Sequence, residues 1–172
     1  MLEEAVANLK AGIEEPAEEQ WSPAIVTGTP VLIPEAYVTD LDLRMGLYRR
    51  LSTLEDDAAI EGFAAEMIDR FGPLPQEVEL LLAIVAIKNL CRQANVEKVE
   101  AGPKGIVVAF RERRFANPDG LVRYVAERGS FAKVRPDMSV VFIGDYEKPS
   151  QRLRETRRLM NDLARIAAKR KI

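Results

Sequence analysis

Residues 75–90 constrain the fold of this chain more than any other stretch. Pro75 reads as the first-turn proline of a helix. Leu80, Leu81, Leu82, Ile84, Val85, Ile87 and Leu90 then leave that helix apolar almost all round. A helix without a polar face has to be covered on every side, so this one is expected to be the central buried helix. The run from Leu80 to Ile87 is far short of the roughly 18 apolar residues that a membrane span requires.

The segments around it supply the cover. Thr39 or Asp40 caps a helix running to about Leu51, with Leu43, Leu47 and Leu51 as its core stripe and Met45 and Tyr48 close by. A second helix starts between Thr53 and Asp57. Its apolar residues Ile60, Phe63, Ala64, Met67, Ile68 and Phe71 follow the 3.6-residue period, and Gly72 followed by Pro73 stops it. After Asn95 the period becomes two. Val96–Ala101 and Ile106–Arg111 read as strands joined through Gly102-Pro103-Lys104-Gly105. Asn117 and Pro118 open a short helix that ends near Gly129, and Phe131–Arg135 and Ser139–Ile143 suggest two further strands. A last helix from about Pro149 buries Leu153, Met160, Leu163 and Ala167. The expected fold class is α+β: a helical N-terminal half whose central helix packs on a small, mainly antiparallel sheet, and a long C-terminal helix.

Ahead of this domain, Met1–Ala11 has a helical pattern (Leu2, Val6, Leu9) stopped by Gly12, and 13–30 reads as a linker rich in Glu, Pro, Ser, Thr and Gly. A helix of this length is marginal in isolation. The chain therefore divides into 1–30 and a domain over 31–172. Trp21 has two readings, a surface aromatic in a strap over the domain or an anchor on a neighbouring module.

Composition excludes several chemistries. The 172 residues contain one cysteine, Cys91, and no histidine. An internal disulfide framework, a multi-cysteine zinc site and the Ser-His and Cys-His nucleophile pairs are thereby absent. No metal site and no catalytic residue is expected. No signal-peptide pattern opens the sequence, so cytoplasmic residence and no membrane partner are the expectation. Gly102-Pro103-Lys104-Gly105 lacks the spacing of a phosphate-binding loop and is not followed by a helix, so it is read as a turn.

Charge is distributed unevenly within a net −2. Glu3, Glu4, Glu14, Glu15, Glu18 and Glu19 make the start acidic. The last helix carries an excess of Arg and Lys, of which Arg154, Arg158 and Arg165 roughly line up as a candidate contact for DNA or another partner. The other reading of that helix is a solvated face. Of the carboxylate pairs, Asp40 with Asp42 and Asp56 with Asp57 are explained as helix caps and first-turn acids. Glu66 and Asp69 are not. They occupy the last turn of their helix, where the dipole disfavours acids by a few tenths of a kcal/mol. On a helical projection they point away from the core stripe, beside Ala58, Gly62 and Ala65. Glycine in mid-helix costs roughly 1 kcal/mol relative to alanine, and small residues let another surface approach closely. Two readings follow: a solvated face neutralised by Arg70 or another base, or an acidic docking patch formed by Glu66, Asp69 and Gly62 for a basic partner.

Two motifs, Ile33-Pro34-Glu35-Ala36-Tyr37-Val38-x-Asp40 running into Arg44-Met45-x-Leu47-Tyr48-Arg49-Arg50, and Glu66-Met67-Ile68-Asp69-Arg70-Phe71-Gly72-Pro73-Leu74-Pro75, resemble the C-terminal domain of bacterial transcription-repair coupling factor. Residues 1–12 are similar to the helix that leaves the family's motor module. The resemblance implies a fragment of an ATP-driven duplex-DNA translocase that displaces stalled RNA polymerase and recruits UvrA. ATP and Mg would belong to the motor module, with no cofactor in this chain. It also implies a regulatory, non-catalytic role: docking on the N-terminal UvrB-like module of the same protein, covering its UvrA-binding surface and restraining the motor. Glu66 and Asp69 would then meet basic residues of that module. A nucleic-acid-binding module using the last helix is the alternative.

Overall fold

The computed structural model describes residues 21–28 and 31–169. The predicted N-terminal helix, the acidic start and the basic end at 170–172 lie outside the described residues. Among the described residues five α-helices form: α1 (Leu41–Leu51), α2 (Asp57–Phe71), α3 (Gln76–Ala94), α4 (Pro118–Glu127) and α5 (Pro149–Ala168). Five strands accompany them: β1 (Ala24–Val26), β2 (Val96–Gly102), β3 (Gly105–Phe110), β4 (Ala132–Val134) and β5 (Val140–Ile143). The α+β class, the mainly antiparallel sheet and the long last helix are all as the sequence predicts.

Local chemistry sets the helix boundaries. Asp40 and Asp56 cap α1 and α2 by accepting hydrogen bonds from the backbone N–H of Leu43 (3.2 Å) and Ala59 (2.8 Å). Gly72 closes α2 at φ 95°, a backbone angle that disfavours any side chain. Pro75 sits one position before α3 rather than inside it. Asn117 does two jobs: its Oδ1 caps α4 at Gly120 N (3.0 Å), and its Nδ2 donates to the carbonyl of Ile166 near the end of α5 (3.1 Å).

The sheet runs β1-β2-β3-β5-β4, antiparallel throughout except for the parallel β1–β2 pair. β1 falls inside the stretch read as linker. Ala24–Val26 pair with Lys98–Glu100, so the linker reading fails there; three residues after a proline leave no period for a sequence to show. β2 carries an irregularity between Val96 and Lys98. This bulge lets Val96 and Val99 both face the core, which a strict two-residue alternation forbids. The β2–β3 turn is tight: a Cβ on Gly105 would lie 2.6 Å from the carbonyl oxygen of Phe142 on β5. Phe131, predicted in a strand, instead ends a short 3-10 turn and is exposed.

Two hydrophobic cores share α3. Val78, Leu82 and Ala86 join Leu47, Leu51, Phe63 and Met67 of α1 and α2 in one core. Ile84, Ile87, Cys91 and Ala94 join the inner face of the sheet and Leu159, Met160 and Leu163 of α5 in the other. The all-round apolar helix therefore packs a layer on each side. Two predicted core positions differ: Ile68 is 48% and Met45 39% exposed, because α1 and α2 each bury one narrow stripe and these residues flank it.

Burial at the shared helix is complete for Ile87, which is 0% exposed. Ile87→Ala is expected to cost about 2–5 kcal/mol through lost transfer energy and an unfilled cavity. The measurement is urea denaturation, with the midpoint falling and the slope unchanged.

Candidate docking face

The two sequence motifs meet in space. Tyr37 lays its ring against Phe71 (centroids 5.7 Å apart) and donates its hydroxyl to the carbonyl of Gly72 (2.7 Å), with the Met67 carbonyl as a second acceptor at 3.2 Å sharing the same proton. Tyr48 accepts from the backbone N–H of Ile33 at 2.7 Å, and Arg44 donates to the Val38 carbonyl at 2.8 Å. These bonds fix the end of α2 against the segment leading into α1. Much of the motif chemistry is thus internal scaffolding for one helix end.

Glu66 and Asp69 lie on the outer side of α2, with Ala58, Gly62 and Ala65 exposed beside them. Their electrostatic situations differ. Arg50, in the last turn of α1, reaches across as a two-pronged fork, its Nη1 and Nη2 each 2.7 Å from a Glu66 carboxylate oxygen. Arg70, one turn further along α2, adds a third bond at 3.0 Å. Both guanidiniums also sit over aromatic rings, Arg50 over Phe63 and Arg70 over Phe71, each 5.0 Å from the centroid. Glu66 is therefore neutralised from within the domain, which answers half of the electrostatic puzzle at this helix end. Asp69 is exposed and has no hydrogen bond or ion pair among the described residues. Two turns back on the same face, Gly62 has open space where a Cβ would stand, and Ile68 shows an apolar side chain to solvent.

The fork has a consequence for acid stability. Hydrogen bonding from Arg50, and then from Arg70, holds the Glu66 carboxyl at about 2, against an ordinary value of 4.5. Both acids stand on the outer side of a helix, Glu66 tied to two arginines and Asp69 open to solvent, and not in a cleft of the kind that acid/base chemistry needs. With the folded-state value below the unfolded one, the ion pair contributes stability above about pH 4.5 that is lost as pH falls towards 2. Glu66→Gln is expected to lower the melting temperature by a constant amount above about pH 5 and to converge on the parent curve near pH 2. Circular dichroism melts across that range measure it.

The arginines of α5 are largely engaged. Arg158 pairs with Glu155 (3.2 Å), Arg165 with Asp162 (2.7 Å) and Arg157 with Asp57 of α2 (3.5 Å). Arg154 is exposed and makes no ion pair among the described residues. The three candidates therefore lie on one helix, but two of them spend charge on neighbouring carboxylates. Arg152, read only as part of the basic run, is a clamp: it donates to the carbonyls of Tyr146 (2.7 Å), Thr27 (2.8 Å) and Glu147 (2.9 Å), tying the start of α5 to the segment after β1. Nothing in local sequence distinguishes it from its neighbours. Cys91 is buried, and that burial pushes its thiol up to about 12, out of reach of nucleophilic chemistry. No helix among the described residues is long and apolar enough to cross a membrane.

Comparison with known proteins bears on the whole arrangement. The TRCF-domain family model matches residues 27–121. The transcription-repair-coupling factor of Rickettsia bellii is 43% identical over 145 residues, covering 83% of this chain and 13% of that protein. The Escherichia coli protein of the same name is 28% identical over 165 residues, covering 95% of this chain and 14% of its own length. The chain thus spans about an eighth of the length of the curated relatives it matches. In fold it is similar to a crystal structure of the C-terminal domain of transcription-repair coupling factor, with a TM-score of 0.73, 19% identity, and coverage of 88% of this chain and 97% of that one.

Proposed function

Because this chain belongs to the transcription-repair coupling factor family, we propose that it is a non-catalytic regulatory and interaction domain of a translocase that couples transcription to DNA repair. Its outer α2 face docks on the N-terminal UvrB-like module of the same protein. Docked there, it covers the UvrA-binding surface and holds back the ATP-dependent motor until stalled RNA polymerase is engaged.

The observation that carries this reading is Asp69. It is a solvent-facing carboxylate in the last turn of a helix, unpartnered among the described residues, on the same face as a glycine two turns back that has open space above it. A basic side chain from the docked module would relieve the unfavourable dipole position, and Gly62 would let the two backbones come close. Ile68, exposed at the flank of this face, adds apolar area. An interface that has to open should be polar and moderate in size, and Glu66 and Asp69 supply polar groups to this one. Arg50 and Arg70 neutralise Glu66 and hold it in a fixed geometry there, so it contributes shape, and Asp69 is the acid free to form a new pair.

A titration of this domain against the separate N-terminal module tests the reading. Asp69→Ala is expected to weaken binding roughly tenfold, about 1.4 kcal/mol. Gly62→Ala is expected to stabilise the isolated domain by up to about 1 kcal/mol, since nothing obstructs the new methyl group, while also weakening docking. In the full-length protein, Asp69→Ala should raise UvrA affinity and basal ATPase activity. Unchanged affinity in both variants would refute the docking assignment.

A further inference from the structure

The end of the sheet at which β3 stops and β5 starts gathers two features that the docking reading does not use. The first is backbone strain. Asn95 (φ 61°), Glu112 (φ 57°), Arg113 (φ 58°) and Met138 (φ 71°) are the four non-glycine residues with left-handed backbone among the described residues, and all four lie at this one rim. Asn95 joins α3 to β2, Glu112 and Arg113 follow β3, and Met138 sits in the β4–β5 turn. Two consecutive non-glycine residues in that region persist only where the surroundings impose it. Asn95 does so here: its Nδ2 donates to the carbonyls of Arg111 (2.9 Å) and Arg114 (2.8 Å), and its own carbonyl accepts from Arg111 N (2.9 Å).

The second feature is charge. Arg113, Arg114 and Arg135 are exposed and make no ion pair among the described residues. Arg111 lies over the Trp21 ring at 5.0 Å, and Arg92 donates to the Trp21 carbonyl at 3.3 Å. Trp21 is thus laid on the domain, as a strap residue. Against these five arginines stand Glu97, Glu112 and Asp137. Asp137 accepts from Ser139 N (2.9 Å) and Oγ (2.6 Å), and it also draws on Arg135 and Arg113. Among the described residues the rim thus sets five arginines against three carboxylates, on a chain that is net −2. Its arginines follow the sheet edge from the β1–β2 side through β3 to the β4–β5 turn, roughly 15–20 Å at about 4.8 Å per strand.

We infer that this strained rim is a contact surface for the phosphate backbone of duplex DNA, with Arg113, Arg114 and Arg135 as the phosphate-binding side chains. A row of planar guanidinium forks suits a linear polyanion with regularly spaced phosphates. Arg113 and Arg114 follow directly on the backbone that Asn95 holds, and both are exposed. Contacts of this kind carry no base specificity.

Fluorescence anisotropy of a short mixed-sequence duplex with the 172-residue chain, from about 50 to 200 mM salt, tests the assignment. The parent is expected to bind at the low end with affinity falling steeply as salt rises. The triple variant Arg113→Ala, Arg114→Ala, Arg135→Ala is expected to bind at least about tenfold more weakly, with a log–log salt slope shallower by about 2–3. Its melting curve should stay parental, since Asn95 holds backbone atoms that the variant keeps. Glu112→Gln, which removes a rim carboxylate, should tighten binding about two- to threefold, so the inference stays testable even if the triple variant misfolds. Three results would overturn it: no duplex binding at the lowest salt; a folded triple variant that binds like the parent while Arg154→Ala, Arg158→Ala, Arg165→Ala does not; or rim-dependent binding of polyglutamate in preference to duplex, which would point to an acidic protein surface.

Discussion

The burial of α3 on both sides is the constraint on which the rest of the structure depends. Its nineteen residues put Val78, Leu82 and Ala86 into a core with α1 and α2, and Ile84, Ile87, Cys91 and Ala94 into a core with the sheet and α5. A single helix with two apolar faces cannot be stable until both layers are in place. The N-terminal helices and the C-terminal sheet are therefore locked to each other through a common wall. That arrangement fixes the outer face of α2 and the rim of the sheet at set positions on one body.

On that body the two surfaces differ in their charged groups. The α2 face is built from an internally satisfied acid, Glu66, and an unsatisfied one, Asp69. The Arg50 fork joins the last turn of α1 to the last turns of α2, and Tyr37 ties Gly72 and Met67 to the preceding segment, so a helix end that carries acids against its dipole is held rigid. The rim collects arginines on a loop whose left-handed residues are pinned by Asn95. In both places a local rule is broken and the surrounding hydrogen bonds maintain the exception.

The sequence makes some of this legible and hides the remainder for physical reasons. Helix periods, the caps at Asp40, Asp56 and Asn117, and the stop at Gly72 are local, and they appear where the residues place them. The outward direction of Glu66 and Asp69 follows from the same period. Pairing partners are not local: Arg50 is sixteen residues from Glu66, and only the crossing of α1 with α2 brings them together. β1 is invisible because its three residues gain strand geometry from β2, and the bulge near Glu97 is invisible because the irregularity lies in the ladder. Ile68 satisfies the helical period yet lies outside the buried stripe, since the width of that stripe is set by the neighbouring helices. The strained rim is the hardest to foresee: Glu112 and Arg113 have no intrinsic preference for left-handed backbone, and they adopt it because Asn95 holds the carbonyls on either side of them.

Native-state hydrogen exchange in low denaturant tests the shared wall most directly. The account predicts that the most protected amides of α2, α3 and β3 exchange through one global opening, with the same free energy and the same denaturant dependence. If α1 and α2 opened at a distinctly lower free energy while α3 and the sheet stayed protected, the two cores would be independent and α3 would belong to the sheet alone.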